Sequence, residues 1–208
     1  MAIRFKLIYC ISGKRCEYLT SLSFLHNTSY VELEPLNLRP QANVTLTFAT
    51  EQQNGVLLYT GDKQHLAAEL FRERIRSSYD VGMYHVRKVV NVRYFYVNCI
   101  VHFSYLLLYF IKMCNSVSSM FSYELLSDGE HHMVEMLAVK KKFTLRVDGG
   151  LARSIVNEGE NESIHRAARQ PLFVSGVPAD VGRKSLNSWH LRNATSFSGM
   201  FTIPKAQL

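Results

Sequence analysis

Two adjacent histidines, His131 and His132, stand beside Asp128 and Glu130. That set of side chains could ligate a metal or exchange protons. The turn signal Ser127-Asp128-Gly129 just before them predicts a strand opening at residue 131. Neighbouring residues of a strand point to opposite faces, so the two imidazoles are not placed to share one ion. The Asp-Gly pair is accounted for by the turn itself. The chain contains no G-x-S-x-G elbow, no G-x-G-x-x-G and no phosphate-binding loop. An enzyme is therefore not expected, and no cofactor is implied.

The cations offer a different chemistry. The 208 residues carry 24 Lys and Arg against 17 Asp and Glu, a formal charge of +7. That excess is local. Arg4, Lys6, Lys14 and Arg15 lie in an acid-free opening segment, and Arg87, Lys88, Arg93 and Lys112 lie in an acid-free stretch at 83–120. The rest is close to neutral, which excludes a nucleic-acid-binding domain with a basic face of its own. The C-terminal part is mildly basic through Lys140, Lys141, Lys142, Arg146, Arg153, Arg166, Arg169, Arg183, Lys184 and Arg192. Brought together by loops, several of these would attract a sulfated polysaccharide, because Arg and Lys pair with sulfate much as with phosphate. The strongest candidates are Lys140, Lys141, Lys142, Arg146, Arg183, Lys184 and Arg192.

Four Asn-x-Ser/Thr sequons, at Asn27, Asn43, Asn161 and Asn193, point to a secreted or surface glycoprotein. The first residues carry no long apolar core or small-residue cleavage site, so they do not read as a signal peptide. An extracellular chain without one is expected to be part of a longer protein. The four cysteines, Cys10, Cys16, Cys99 and Cys114, have no C-x-x-C spacing and do not form a zinc ribbon or a thioredoxin-type motif. Trp189, the single tryptophan, is expected to pack in the core or under a loop.

The elements that must carry these residues read as strands. Asn43–Ala49 alternates apolar and small polar residues, and Asn54-Gly55 separates it from Val56–Tyr59, a hairpin signal. Helix competes over 64–76, where Ala, Glu, Leu and Arg favour it. The regular spacing of turns runs through that segment, so strand is the reading. Strands follow at 131–139 and 143–147, joined by Lys140–Lys142, and at 171–176, with a further turn at Asp148-Gly149-Gly150. Many short strands between turn signals predict an all-β sandwich.

Residues 83–120 break this texture. Tyr94–Ile111 holds 18 residues without a formal charge, the lower limit for a membrane span. A span there would split one sandwich across a bilayer, leaving neither half able to bury its sheet, so membrane insertion is not expected.

The ordered series Ser29–Leu33, Leu38–Leu46, Asn54–Asp62, Leu66–Leu70, Ser78–Asp80, Ser127–Met136, Leu145–Gly150, Pro171–Pro178 and Thr195–Gly199 resembles a laminin G-like domain, and within that superfamily the domain of Slit proteins. Residues 10–19 resemble the end of an EGF-like module. The reading divides the chain into an EGF-like remnant and lead-in (1–22), a first half-domain (23–82), an insert (83–120) and a truncated second half-domain (121–208). The insert is read as sequence carried in by misread exon boundaries, against a lineage-specific loop. Met200 also stands where the family places a cysteine.

The resemblance implies a laminin G-type jelly roll and a secreted, non-catalytic role in axon guidance and cell migration. It implies heparan sulfate proteoglycan as a partner and a Roundabout-type receptor engaged through the full-length protein. An adhesion module of agrin or perlecan type is the alternative, and a single-pass membrane protein using 94–111 a more remote one. Asp62 lies where some laminin G domains hold a calcium ligand. Calcium needs several converging oxygens, so Asp62 is read first as a turn residue.

Overall fold

The computed structural model of the chain describes residues 2–3, 21–26, 28–36, 41–82, 84–87, 111–114, 117–159, 161–164 and 170–202. Two antiparallel sheets form a sandwich. The first runs β13 (Arg153–Val156), β12 (Lys142–Val147), β11 (His131–Val139), β4 (Gln41–Ala49), β15 (Gly199–Thr202), β2 (Ser21–Phe24), with β1 (Ala2–Ile3) parallel to β4. The second runs β10 (Ser118–Phe121), β7 (Arg74–Asp80), β6 (His65–Phe71), β5 (Gly55–Gly61), β14 (Leu172–Val174), β3 (Val31–Leu33). One helix, α1, spans Ala179–Asn187. The all-β expectation holds.

The first sheet keeps the period-two pattern of a half-buried sheet. Ala42, Val44, Leu46 and Phe48 of β4 are buried, as are Val134, Met136 and Ala138 of β11 directly opposite them. Between the sheets, Phe48 meets Phe197 edge-on at 5.7 Å, and Tyr79 of the second sheet stacks on Phe143 of the first at 5.2 Å. Each such ring contributes about 1.5–3 kcal/mol through burial.

Segment 64–76 is strand, as its turn rhythm requires. Leu66, Ala68 and Leu70 face the inter-sheet core, and His65, Ala67 and Glu69 alternate with them on the other side. The Arg72-Glu73 turn between β6 and β7 takes left-handed backbone at both residues, φ 51° and 66°.

The expected hairpin at Asn54-Gly55 does not form. β4 and β5 lie in different sheets, and residues 50–54 cross between them. Asn54 instead accepts the Arg72 N–H through Oδ1 at 3.1 Å, holding the β6–β7 turn. Gly55 is required by contact: a Cβ there would lie 2.8 Å from the Phe197 Cα.

β7 and β10 pair directly, Tyr79 opposite Ser118, although 38 residues separate them in sequence. Within that interval β8 (Tyr84–Arg87) and β9 (Ile111–Cys114) form a separate two-stranded ribbon. The chain therefore leaves the sandwich and re-enters beside its point of departure. Residues 94–110 of the apolar run, most of the segment expected to be an EGF-like remnant, and Cys10, Cys16 and Cys99 lie outside the described residues. Among the described residues no helix is long and apolar enough to cross a membrane.

Candidate binding surface

The central strands of the second sheet, β5, β6, β7 and β14, are buried on both faces. Its outer face is covered by α1 and the segment 188–195, with Val56, Tyr59, Ala67, Phe173, Val177 and Leu191 forming a second apolar cluster. Helix α1 was not legible in the sequence. Pro178 precedes it, Asp180 occupies its first turn and Lys184 its last, which suits the helix dipole. Gly182 faces the sheet, where a Cβ would lie 3.2 Å from the Ala194 Cβ and 3.3 Å from the Val177 Cγ2.

The helix ends in a Schellman turn. Trp189 N–H donates to the Leu186 carbonyl at 3.1 Å, and His190 N–H to the Ser185 carbonyl at 2.9 Å. The turn requires a left-handed residue, and Trp189 supplies it with φ 61°. Glycine occupies that position most often because an L side chain there is strained.

Beneath the segment lies a buried polar network. Arg76 and Glu69 pair at 2.6 Å with side chains 2% and 1% exposed. Glu69 also accepts the backbone N–H groups of Arg192 at 2.9 Å and Asn193 at 3.0 Å. Arg76 donates to the carbonyls of His190 at 3.0 Å and Trp189 at 3.2 Å. Ser78 Oγ donates to the His190 carbonyl at 2.6 Å, so the His65 Nε2, 3.0 Å from that oxygen, is the donor to it. His190 Nδ1 meets the Tyr59 hydroxyl at 3.0 Å.

Burial holds the His65 imidazole well below its usual range, helped by His190 and Arg76. Burial likewise depresses His190 to about 4, with Arg76 adding to the effect and Asp62 opposing it. Burial pushes the Glu69 carboxyl up, against the Asn193 and Arg192 amides and the Arg76 guanidinium. Two neutral histidines and a buried ion pair thus fix the backbone of 189–193 to the sheet.

What this backbone presents outward is Trp189. The indole is 56% exposed, contrary to the packing role expected of the only tryptophan. The Arg192 guanidinium lies 5.0 Å from its ring centroid, in cation–π range. Arg183 and Lys184 are exposed on α1 just before it. None of these three cations takes part in an ion pair among the described residues.

The seven candidate cations divide between opposite outer faces. Arg183, Lys184 and Arg192 accompany the cover of the second sheet. Lys140 and Lys141 form the β11–β12 turn of the first sheet, Lys142 opens β12, and Arg146 lies on that sheet's outer face. Lys140 Nζ lies 3.8 Å from Glu162, and Arg146 lies 3.7 Å from Glu135 across the strand pair. Arg166 and Arg169 lie outside the described residues.

Of the sequons, Asn27 lies outside the described residues. Asn43 sits half-buried on the outer face of β4. Asn161 donates through Nδ2 to the Val81 carbonyl at 2.8 Å. Asn193 Oδ1 accepts the Thr195 N–H at 2.9 Å and its hydroxyl at 2.5 Å, which turns Nδ2 away from these contacts.

His131 and His132 point apart as the strand requires. His131 is exposed, while His132 is held between Asp128 at 2.9 Å and Asp148 at 2.8 Å. Burial opposes its protonation, but the hydrogen bonds its ring donates to Asp148 and Asp128 prevail and raise its pKa. Asp128, with Oδ1 on the Glu130 N–H, is held below the usual carboxylate range by that bond and by His132. Asp62 sits exposed in the β5–β6 turn, its N–H on the Gln64 carbonyl at 3.1 Å. Among the described residues no group of three or more His, Cys, Asp or Glu is placed to hold a metal. Asp62 alone does not supply the converging oxygens calcium needs.

The sequence profile of the Laminin G domain matches residues 48–202. Among solved structures, domains LG4-5 of the mouse laminin α1 chain superpose with a TM-score of 0.60 at 18% identity, covering 88% of this chain and 40% of that one. The LG1-3 region of the laminin α2 chain superposes with a TM-score of 0.59 at 16% identity, covering 92% and 32%. The chain thus spans well under half the length of either neighbour, and at these identities the likeness speaks to fold. With the profile running from β4 to β15 through both sheets, the chain belongs to the Laminin G domain family.

Proposed function

We propose that this chain is an extracellular, non-catalytic binding module of a Slit-like secreted ligand acting in axon guidance and cell migration. Its direct partner is heparan sulfate, and a Roundabout-type receptor is engaged through the full-length protein. Laminin G domains are generally extracellular binding modules, which supports the class. The observation that carries the polyanion reading is the set of exposed cations that form no ion pair among the described residues, Arg183, Lys184 and Arg192, carried on the cover of the second sheet. Glycosylation of Asn43, Asn161, Asn193 and Asn27 accompanies passage through the secretory route. Retention of the chain on immobilised heparin at low ionic strength, with release as salt rises, tests this reading. Salt-insensitive retention would refute the ionic mechanism.

The laminin α-chain neighbours favour a second reading, an adhesion module of agrin or perlecan type. Leucine-rich repeats elsewhere in the transcript support the Slit-like reading, and repeated laminin G domains support the adhesion module.

A further inference from the structure

The most exposed ring on the cover of the second sheet is also its most strained residue. A left-handed position that glycine would fill without cost holds the chain's only tryptophan, 56% exposed. Strain of this kind persists only where surrounding structure imposes it. Here the surroundings are explicit. The Arg76–Glu69 pair and Ser78 grip the backbone carbonyls of 189 and 190 and the amides of 192 and 193 from below. Burying an ion pair adds little or nothing to stability compared with apolar residues. It does fix the segment, and so presents the indole and the Arg192 guanidinium as one preformed unit.

An exposed indole offers its face to the C–H face of a pyranose, and a guanidinium beside it pairs with a sulfate or carboxylate on the same sugar. Arg183 and Lys184 extend the positive charge along α1. The Lys140–Lys142 segment is the poorer candidate, since Lys140 and Arg146 face Glu162 and Glu135, and Tyr79, whose hydroxyl donates to the Lys140 carbonyl, is buried and offers no exposed ring face.

We propose that Trp189 and Arg192, flanked by Arg183 and Lys184, form the contact surface for a sulfated polysaccharide, with a sugar ring stacked on the indole. This rests on the polyanion reading above and assigns it to one face of the sandwich.

The test is calorimetric titration of the full chain with a size-defined heparin oligosaccharide. All tryptophan emission comes from residue 189, so a saturable fluorescence change is expected on the same titration. Trp189→Gly relieves backbone strain and is expected to fold. It and Arg192→Ala are expected to weaken binding about tenfold or more, and Trp189→Phe to recover part of the loss. The triple variant Lys140→Ala, Lys141→Ala, Lys142→Ala is expected to bind within about twofold of wild type. Loss of binding in the triple variant with Trp189→Gly unaffected would overturn this assignment and leave the polyanion reading intact. Failure of the wild-type chain to bind heparin at low salt would overturn both. Binding to phosphatidylserine vesicles in place of heparin would overturn the assignment in favour of a lipid surface.

Discussion

The imidazole of His65, on β6, stacks against that of His190, beyond α1, with centroids 3.7 Å apart and planes 16° apart. One ring belongs to the sheet and the other to the cover, so the contact joins two segments 125 residues apart. Both rings are held neutral by burial, next to the Arg76 guanidinium. Protonating either would place like charges in contact.

The unfolded chain takes protons on these histidines near pH 6.5, while the folded chain resists them until about pH 4 at His190, and burial holds His65 well below its usual range as well. The unfolded state therefore binds more protons below pH 6.5, and stability falls as pH falls. The slope is about 1.4 kcal/mol per pH unit for each histidine. Urea unfolding at pH 6.5, 6.0, 5.5 and 5.0 checks this, and a flat stability across that window would contradict a neutral buried pair.

His132 behaves in the opposite sense. Its raised pKa gives stability that is present below pH 6.5 and lost as pH rises through the folded value. Proton NMR of its ring is expected to show a midpoint above 6.5, and Asp148→Asn is expected to lower it. An unchanged midpoint in that variant would remove Asp148 as a cause.

Removing one partner of the Arg76–Glu69 pair leaves a buried charge. Glu69→Leu and Arg76→Met are each expected to destabilise by about 3–5 kcal/mol, and the double change by less than either. Denaturant unfolding of the four proteins closes the cycle. Additive losses would mean the two charges are not coupled.

Trp189→Gly is expected to raise stability by about 1 kcal/mol, because it removes the left-handed strain at the Schellman turn. A lower thermal midpoint would show that the indole contributes packing that outweighs the strain.

The sandwich was legible because alternation is local. β4 and β11 carry their buried residues at every second position, and their turns carry Asp-Gly or exposed Lys. The cover of the second sheet was not. His65, Glu69, Arg76 and Ser78 alternate with apolar residues, a pattern that ordinarily marks a solvent-facing side. Here that side is buried, and its polar groups are matched by Trp189, His190, Arg192 and Asn193 from more than 100 residues away. Nothing within either segment signals the match. Helix α1 was hidden by its short length and by Gly182, which reads as a breaker although it serves close packing. Asn54-Gly55 misled for a related reason: its turn chemistry is real, but Asn54 serves the β6–β7 turn and Gly55 a contact with Phe197.

The most direct test of the whole account compares binding of the full chain to heparin and to the same chain length after complete desulfation, by calorimetry at low salt. Saturable binding to the sulfated form, weakened by added salt and absent for the desulfated form, is the predicted result. Equal binding to both forms, or to neither, would contradict a polyanion-binding module.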